Sequence, residues 1–224
     1  MKLSEVTLHG RWVHLEPLAL EQVDDLWQVA LDPRVWAHVA ATVQRPEDLE
    51  TWIEDRLAPV RCGQALAFLQ RQAGTGRAVG STSLYNIDLE HATAEIGHTW
   101  LSPRVWGTPV NLEAKRLLLG LAFDRLGAQR VQLKADAHNR RSQRAIEKLG
   151  ATREGVLRNI QRLPNGKPRD MVIFSILDDE WPRVRAVLDQ RLAASVPGSV
   201  LDHAVEAQGE ATTPMASSAG PRLR

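Results

Sequence analysis

The sequence predicts one α/β domain built on a mixed, mostly antiparallel sheet. Three observations carry this fold class: strand-like runs joined by tight turns dominate the first half of the sheet, one dense apolar helix follows as a crossover, and regular strand-helix alternation comes only late. A length of 224 residues suits one such domain with an extension.

Taken in order, Arg11-Trp12-Val13-His14-Leu15 alternates polar and apolar residues as a half-buried strand does. Pro17 then opens a helix that runs to about Ala30, and Pro46-Glu47-Asp48 starts another that reaches Leu57. Ala65 to Arg71 is a strand, Gly74-Thr75-Gly76 a hairpin turn, and Ala78 to Asn86 the returning strand. Thr93 to Leu101 is the next strand. Asn111 to Leu126 carries Leu112, Leu117, Leu118, Leu119, Leu121, Phe123 and Leu126, too many apolar residues for a surface helix, and Gly127 ends it. Arg130 to Lys134 is a strand, Arg140 to Lys148 a short helix stopped by Gly150, Met171 to Leu177 a last strand, and Glu180 to Leu192 a last helix. Residues 1–195 thus form the domain. From 196 to 224 there is no Phe, Trp or Tyr and a crowd of Ala, Ser, Gly, Pro and Thr, which predicts a flexible tail; a docked helix around Ser199 to Ala207 is the alternative.

Hydrophobic residues make up 43% and charged residues 25%, as in ordinary globular chains, so a fibrous or wholly disordered protein is excluded. Lys plus Arg number 28 against 27 Asp plus Glu, and this balance offers no global attraction for nucleic acid or an anionic membrane. A single cysteine, Cys62, has no partner for an internal disulfide and no His or Cys cluster at zinc-ligand spacing, so no metal is expected. The N-terminus lacks a secretion signal and no apolar run is long enough to span a bilayer, so a cytoplasmic protein is expected.

The chemistry concentrates in two places. Strand Thr93–Leu101 runs through Ser102-Pro103-Arg104-Val105-Trp106-Gly107-Thr108-Pro109 into the long helix, and a strand that turns tightly into a helix N-terminus aims backbone N–H groups and the positive end of the helix dipole at one point. That is a seat for phosphate, with a purely structural turn as the other reading. The second place is Asp136-Ala137-His138-Asn139-Arg140-Arg141-Ser142-Gln143-Arg144, where Asn139 caps a helix, Ser142 stands one turn in, and Arg141, Arg144 and Lys148 are near. No Gly-x-x-x-x-Gly-Lys-Ser/Thr loop and no Gly-x-Ser-x-Gly elbow occur, and Gly74-x-Gly76-x-x-x-Gly80 precedes a strand, so it is a hairpin turn and not a dinucleotide fingerprint.

The run Asn139-x-x-Ser142-x-x-Ala145-Ile146-x-x-Leu149-Gly150-Ala151 is followed by Glu154-Gly155-x-Leu157-Arg158. Then come the Asn165-Gly166-x-x-Arg169-Asp170 hairpin, Ser175-Ile176-Leu177 and Glu180-Trp181. In this order and spacing they resemble the GCN5-related N-acetyltransferase (GNAT) superfamily over about Arg11 to Leu188, and especially its ribosomal-protein N-terminal alanine and serine acetyltransferase branch. The resemblance implies a sheet splayed between the strand ending near Leu101 and the strand from Arg130, with helices on both faces. It implies acetyl-CoA as co-substrate, its pantetheine arm on the backbone near Trp100 and Leu101 and its pyrophosphate on Trp106, Gly107, Thr108, Val110 and Asn111. Asn139 is expected at the pantetheine, and Arg141 or Arg144 at the 3′-phosphate.

Two departures stand out. With Glu113-Ala114 setting the register, Trp106, Pro109 and Asn111 occupy the places of the family's Arg/Gln-x-x-Gly-x-Gly/Ala loop, and Pro109 has no N–H to donate. A register starting at Arg104 recovers Arg104-x-x-Gly107 but breaks the helix alignment. The acidic residue that the branch carries before the late hairpin is also missing from Val156 to Arg162.

For catalysis, Ser142 matches the serine that protonates the departing thiolate in similar enzymes; it equally suits a serine that only satisfies the helix's first turn. Glu95 is the expected base, with His98 the second choice, both on the central strand. Trp27, Trp36 and Trp52 fall on early helices that wall the acceptor site in the family, or simply pack the core. The expected activity is acetyl transfer to a primary amine, on a protein N-terminus or a small molecule, by direct attack in a ternary complex. A non-catalytic CoA-binding or partner-binding module is the alternative. Expected partners are an amine-bearing peptide or small molecule and at most a second copy of the chain, with no nucleic acid and no membrane.

Overall fold

The computed structural model describes residues 5–39, 41–163 and 165–195; the expected tail lies outside them. Among the described residues, strands β1 (Leu8–His9), β2 (Val13–Pro17), β3 (Leu66–Gln72), β4 (Ala78–Asp88), β5 (Thr93–Leu101), β6 (Arg130–Asp136), β7 (Thr152–Arg162) and β8 (Pro168–Leu177) form one sheet. Their order is β1-β2-β3-β4-β5-β6-β8-β7. Neighbours are antiparallel except β5 and β6, whose parallel pairing requires the crossover supplied by the central helix.

The helices are α1 (Val23–Ala30), α2 (Pro46–Arg61), α3 (Pro109–Gly120), α4 (Arg140–Glu147) and α5 (Trp181–Ala193). On one face α3, α5 and the Ile146 and Leu149 side chains join Phe68, Leu84, Ile96, Leu133 and Phe174 of the sheet in the larger core. On the other, α1 and α2 bring Leu26, Leu49, Trp52 and Ile53 against Ala67, Leu69 and Trp100. Helices on both faces and a mixed, mostly antiparallel sheet agree with the predicted class. No helix among the described residues is long and apolar enough to cross a membrane.

The structure differs from the sequence reading at several elements, each for a local reason. Pro17 closes β2, paired with Phe68, and the helix starts later. The chain first makes a 3-10 turn at Leu20–Gln22, where Gln22 Oε1 accepts from the N–H of Ala19 at 3.0 Å. Helix α3 starts at Pro109, two residues early, because Thr108 serves as its cap and a proline at the first helical position forfeits only an N–H that had no partner in the helix. It gives way after Gly120 to a π-helical turn, Leu121–Arg125, whose Asp124 accepts from Trp181 Nε1 at 2.7 Å. Strand β7 escaped the apolar pattern because it is the outer edge strand, exposed along most of its length. Helix α3 is pinned to β2 by Glu113, whose buried carboxylate accepts from the N–H groups of Arg11, Trp12 and Val13 at 2.8, 2.6 and 2.9 Å.

Candidate active site

The site follows from one extra residue in β5. Ser81 pairs with Trp100 and Ser83 with Gly97, so two steps along β4 oppose three along β5, and His98 at φ 48° takes up the surplus. Such a bulge bends its strand and sharpens the twist. Beyond it β5 leaves its parallel neighbour: the β5–β6 ladder runs from Thr93↔Arg130 to Ile96↔Leu133 and stops. From Gly97 onward the β5 edge facing β6 carries backbone groups without a strand partner. A cavity of about 590 Å³ opens in this fork.

At its mouth, the turn between β5 and α3 is fixed by side chains. Trp106 Nε1 donates to Leu101 O at 2.9 Å, and Thr108 Oγ1 donates to Val105 O at 2.8 Å and accepts from the N–H of Val110 at 3.4 Å. Gly107 sits at φ 79°, and a Cβ built on it would meet no atom within 4 Å, so the space in front of it is open. The first N–H groups of α3 have no partner inside the helix. Asn111, in its first turn, keeps a buried Oδ1 without a hydrogen bond. Across the fork Asn139 Oδ1 accepts from the N–H of Ser142 at 3.0 Å, and the Arg141 guanidinium lies 3.3 Å from the centre of the Trp106 ring. Ser142 Oγ has no hydrogen-bond partner among the described residues, so no backbone group absorbs its hydroxyl.

Of the sequence-predicted residues, Trp100, Leu101, Trp106, Gly107, Asn111, Asn139, Arg141 and Ser142 line this one cavity, as does His98. Thr108 acts from behind as the cap, Val110 is buried in the core, and Arg144 is exposed outside the lining. Glu95 also lies outside it. Its carboxylate is buried and enclosed by donors: Lys134 Nζ at 2.8 Å, Gln132 Nε2 at 3.2 Å, Asn86 Nδ2 at 3.3 Å and the Tyr85 hydroxyl. Tyr85 is the element of this group that reaches the cavity together with Lys134, and its ring stacks 4.2 Å from that of His98. Burial, then the Glu95 charge, holds the phenol protonated far above its ordinary range. Burial, Arg56 and Lys134 push His98 down to about 3, so its imidazole is neutral at physiological pH.

Besides Tyr85 and Lys134, two further cavity residues escaped the sequence reading. Lys115 is buried, donates to Thr99 Oγ1 at 2.6 Å and Thr82 Oγ1 at 3.1 Å, and is pushed by burial down to about 7. Arg56 stacks 5.1 Å from the Trp52 ring in the opposite wall. Both had a sequence signal in the helical period: Lys115 follows Asn111, and Arg56 follows Trp52, by four residues. Trp52 and Trp100 line the cavity, with Trp36 packed behind them at ring distances of 6.2 and 5.1 Å.

Comparison with known proteins adds a family model described as an acetyltransferase (GNAT) domain, which matches residues 13–152. The uncharacterized N-acetyltransferase p20 of Bacillus licheniformis is 29% identical over 179 residues, which cover 78% of this chain and 98% of that protein. The solved structure of a candidate acetyltransferase from T. thermophilus is 41% identical, with a TM-score of 0.77 over 86% of this chain and 100% of that one. Mycobacterium smegmatis RimJ, solved in complex with CoA-disulfide, shares the fold at a TM-score of 0.71 and 19% identity, covering 83% of this chain and 91% of its own.

Proposed function

The chain belongs to the acetyltransferase (GNAT) domain family and is an N-acetyltransferase, and on that premise we propose that it moves an acetyl group from acetyl-CoA to a primary amine by direct attack in a ternary complex. The amine belongs to a protein N-terminus or to a small molecule. The observation that carries this reading is the fork itself: an amide-rich arm fits the unpaired β5 edge as an added strand would, while the α3 N-terminus faces the same cavity. The CoA-disulfide held by RimJ, which shares this fold, supports the same ligand class here.

The residues present fit such a co-substrate. Gly107 leaves room for close approach, the N–H of Asn111 and its unsatisfied side chain offer polar contacts, the N–H of Val110 is taken by the Thr108 cap, and Pro109 removes one donor without removing the helix end. Arg141, held over Trp106 in the cavity lining, supplies a positive charge for the phosphates; the exposed Arg144, outside the lining, is a second candidate.

Acetyl-CoA supplies a thioester whose carbonyl carbon bonds to the amine nitrogen as the bond to sulfur breaks. Ser142, whose hydroxyl is not otherwise engaged, gives the departing thiolate a proton and takes one back from water in the open cavity, to which Glu95 later releases the proton it receives. The amine's proton leaves through the Tyr85 hydroxyl, which passes its own proton to Glu95; Glu95 is then the base at one remove from the cavity. The neutral His98 beside Tyr85 leaves that path free of a competing imidazolium.

The test is thiol release from acetyl-CoA against a panel of small amines and N-terminal peptides, together with thermal stabilisation. Acetyl-CoA at a hundred times its dissociation constant should add about 2.7 kcal/mol. No stabilisation at millimolar acetyl-CoA, with no amine consumed, overturns the reading.

A further inference from the structure

The cavity wall opposite the α3 N-terminus holds a cation that the fold does not use. Arg169 is paired with Asp136 at 2.7 Å and donates to His38 O at 2.6 Å; Lys134 is paired with Glu95; Arg34 is held by Asp32 at 2.6 Å. Of these four cations Arg56 alone has neither a hydrogen bond nor a close ion pair among the described residues. Its sole ion pair among the described residues is a loose 3.9 Å approach to Asp55, the adjacent residue, whose side chain is 66% exposed. The guanidinium is nevertheless half-buried, with its side chain 21% exposed. It is aligned by stacking on Trp52, which in turn packs edge-on against Trp100, their centroids 5.7 Å apart. Trp100 is buried with an indole N–H that has no acceptor.

A half-buried guanidinium costs desolvation energy, and a fold retains that cost without an internal carboxylate where an external one completes the site. Arg suits this task because its planar donors meet a carboxylate in two parallel hydrogen bonds while its face stays on an aromatic ring. Asp55 does not fill the role, since it points mostly to water and reaches Arg56 only at the limit of an ion pair.

We infer, resting on the reading above, that Arg56 selects acceptors carrying a carboxylate near the amine, seated on the Trp52 and Trp100 wall. The charges point the same way. Burial first, then Arg56 and Lys134, depress the protonation of His98, and the same surroundings beside Arg56 discourage an acceptor from keeping its ammonium form. An acidic group on the acceptor offsets this repulsion for binding, and the amine reaches the thioester deprotonated.

The experiment compares two peptides that start Ser-Glu and Ser-Gln and are otherwise identical, both in initial-rate thiol release and, as their N-acetylated forms, in calorimetric titration of the CoA-loaded protein. The parent should favour the Glu peptide by about ten- to a hundredfold in kcat/KM, the range for one charge-assisted pair. Arg56→Met, which keeps a flexible side chain against Trp52, should bring that ratio near one, and Arg56→Lys should restore only part of it. Equal kcat/KM for the two peptides in the parent, or a preference that survives in Arg56→Met, overturns the inference while leaving acetyl transfer intact. If neither peptide is acetylated, the titration decides: tighter binding of the acetylated Glu peptide, lost in Arg56→Met, upholds the carboxylate site, and equal binding overturns it.

Discussion

Replacing Lys115 with Met should stabilise the protein at pH 6 and do almost nothing at pH 9. Lys115 lines the cavity with two threonine hydroxyls as partners and, among the described residues, no carboxylate, so burial is the cause of its low proton affinity. The folded state holds this amine at about 7 against an ordinary 10.5, and the unfolded chain therefore binds more protons between those values. Stability must rise with pH across that window. At about 1.4 kcal/mol per power of ten in proton affinity, the burden is about 5 kcal/mol at pH 6 and about 2 kcal/mol at pH 9. Met has no such burden but gives up two hydrogen bonds, about 1 to 2 kcal/mol together, while Thr82 and Thr99 keep the 2.8 Å bond between them. The variant should thus gain about 3 kcal/mol over the parent at pH 6 and about nothing at pH 9. Urea unfolding followed by tryptophan fluorescence at pH 6, 7.5 and 9 measures both proteins under identical conditions, so other titrating groups cancel. Parallel stability curves for the two proteins would refute the argument that an unpaired buried amine sets this dependence.

Ser142→Ala should lower kcat by about ten- to a hundredfold with acetyl-CoA affinity held, because a proton donor to the thiolate acts in the transition state; affinity lost with kcat intact makes Ser142 a binding residue. Gly107→Val should abolish acetyl-CoA binding by calorimetry, since its Cβ meets no protein atom but projects into the open space, and forcing Val to φ 79° should cost about 1 to 2 kcal/mol in urea unfolding. Undiminished binding moves the pyrophosphate elsewhere. Glu113→Ala leaves three N–H groups of the β1–β2 turn without their acceptor, and urea unfolding should register a loss of about 2 to 4 kcal/mol; an unchanged midpoint shows that water replaces the carboxylate there.

Which parts of the fold the sequence carried depended on whether a pattern reported burial. The period-2 run of β2, the turn-bounded β3–β4 hairpin and the dense leucines of α3 each record a side facing a core, and residues 93–101 read as the strand that forms. Strand β7 records almost nothing, because an exposed edge strand obeys no apolar alternation, and β1 is two residues long. The Pro17 and Pro109 boundaries shifted because proline fits both a strand end and the first turn of a helix.

At the site, the sequence by itself determined where one turn and two helix starts fall, since Thr108 and Asn139 act through caps, and Gly107 through a backbone conformation, that depend on close neighbours in the chain. The tertiary structure decided the rest. That Glu95 is enclosed by Lys134, Gln132, Asn86 and Tyr85 instead of facing the cavity depends on cross-strand partners up to 39 residues away. That Lys115 is buried without a carboxylate depends on the two hydroxyls brought beneath α3 by the β4–β5 bulge. That Arg56 has no close carboxylate among the described residues depends on which acidic side chains reach it through space. Proton affinity and pairing are set by the dielectric and charge within a few ångströms, and in a sheet with a crossover those neighbours come from segments that the linear sequence keeps apart.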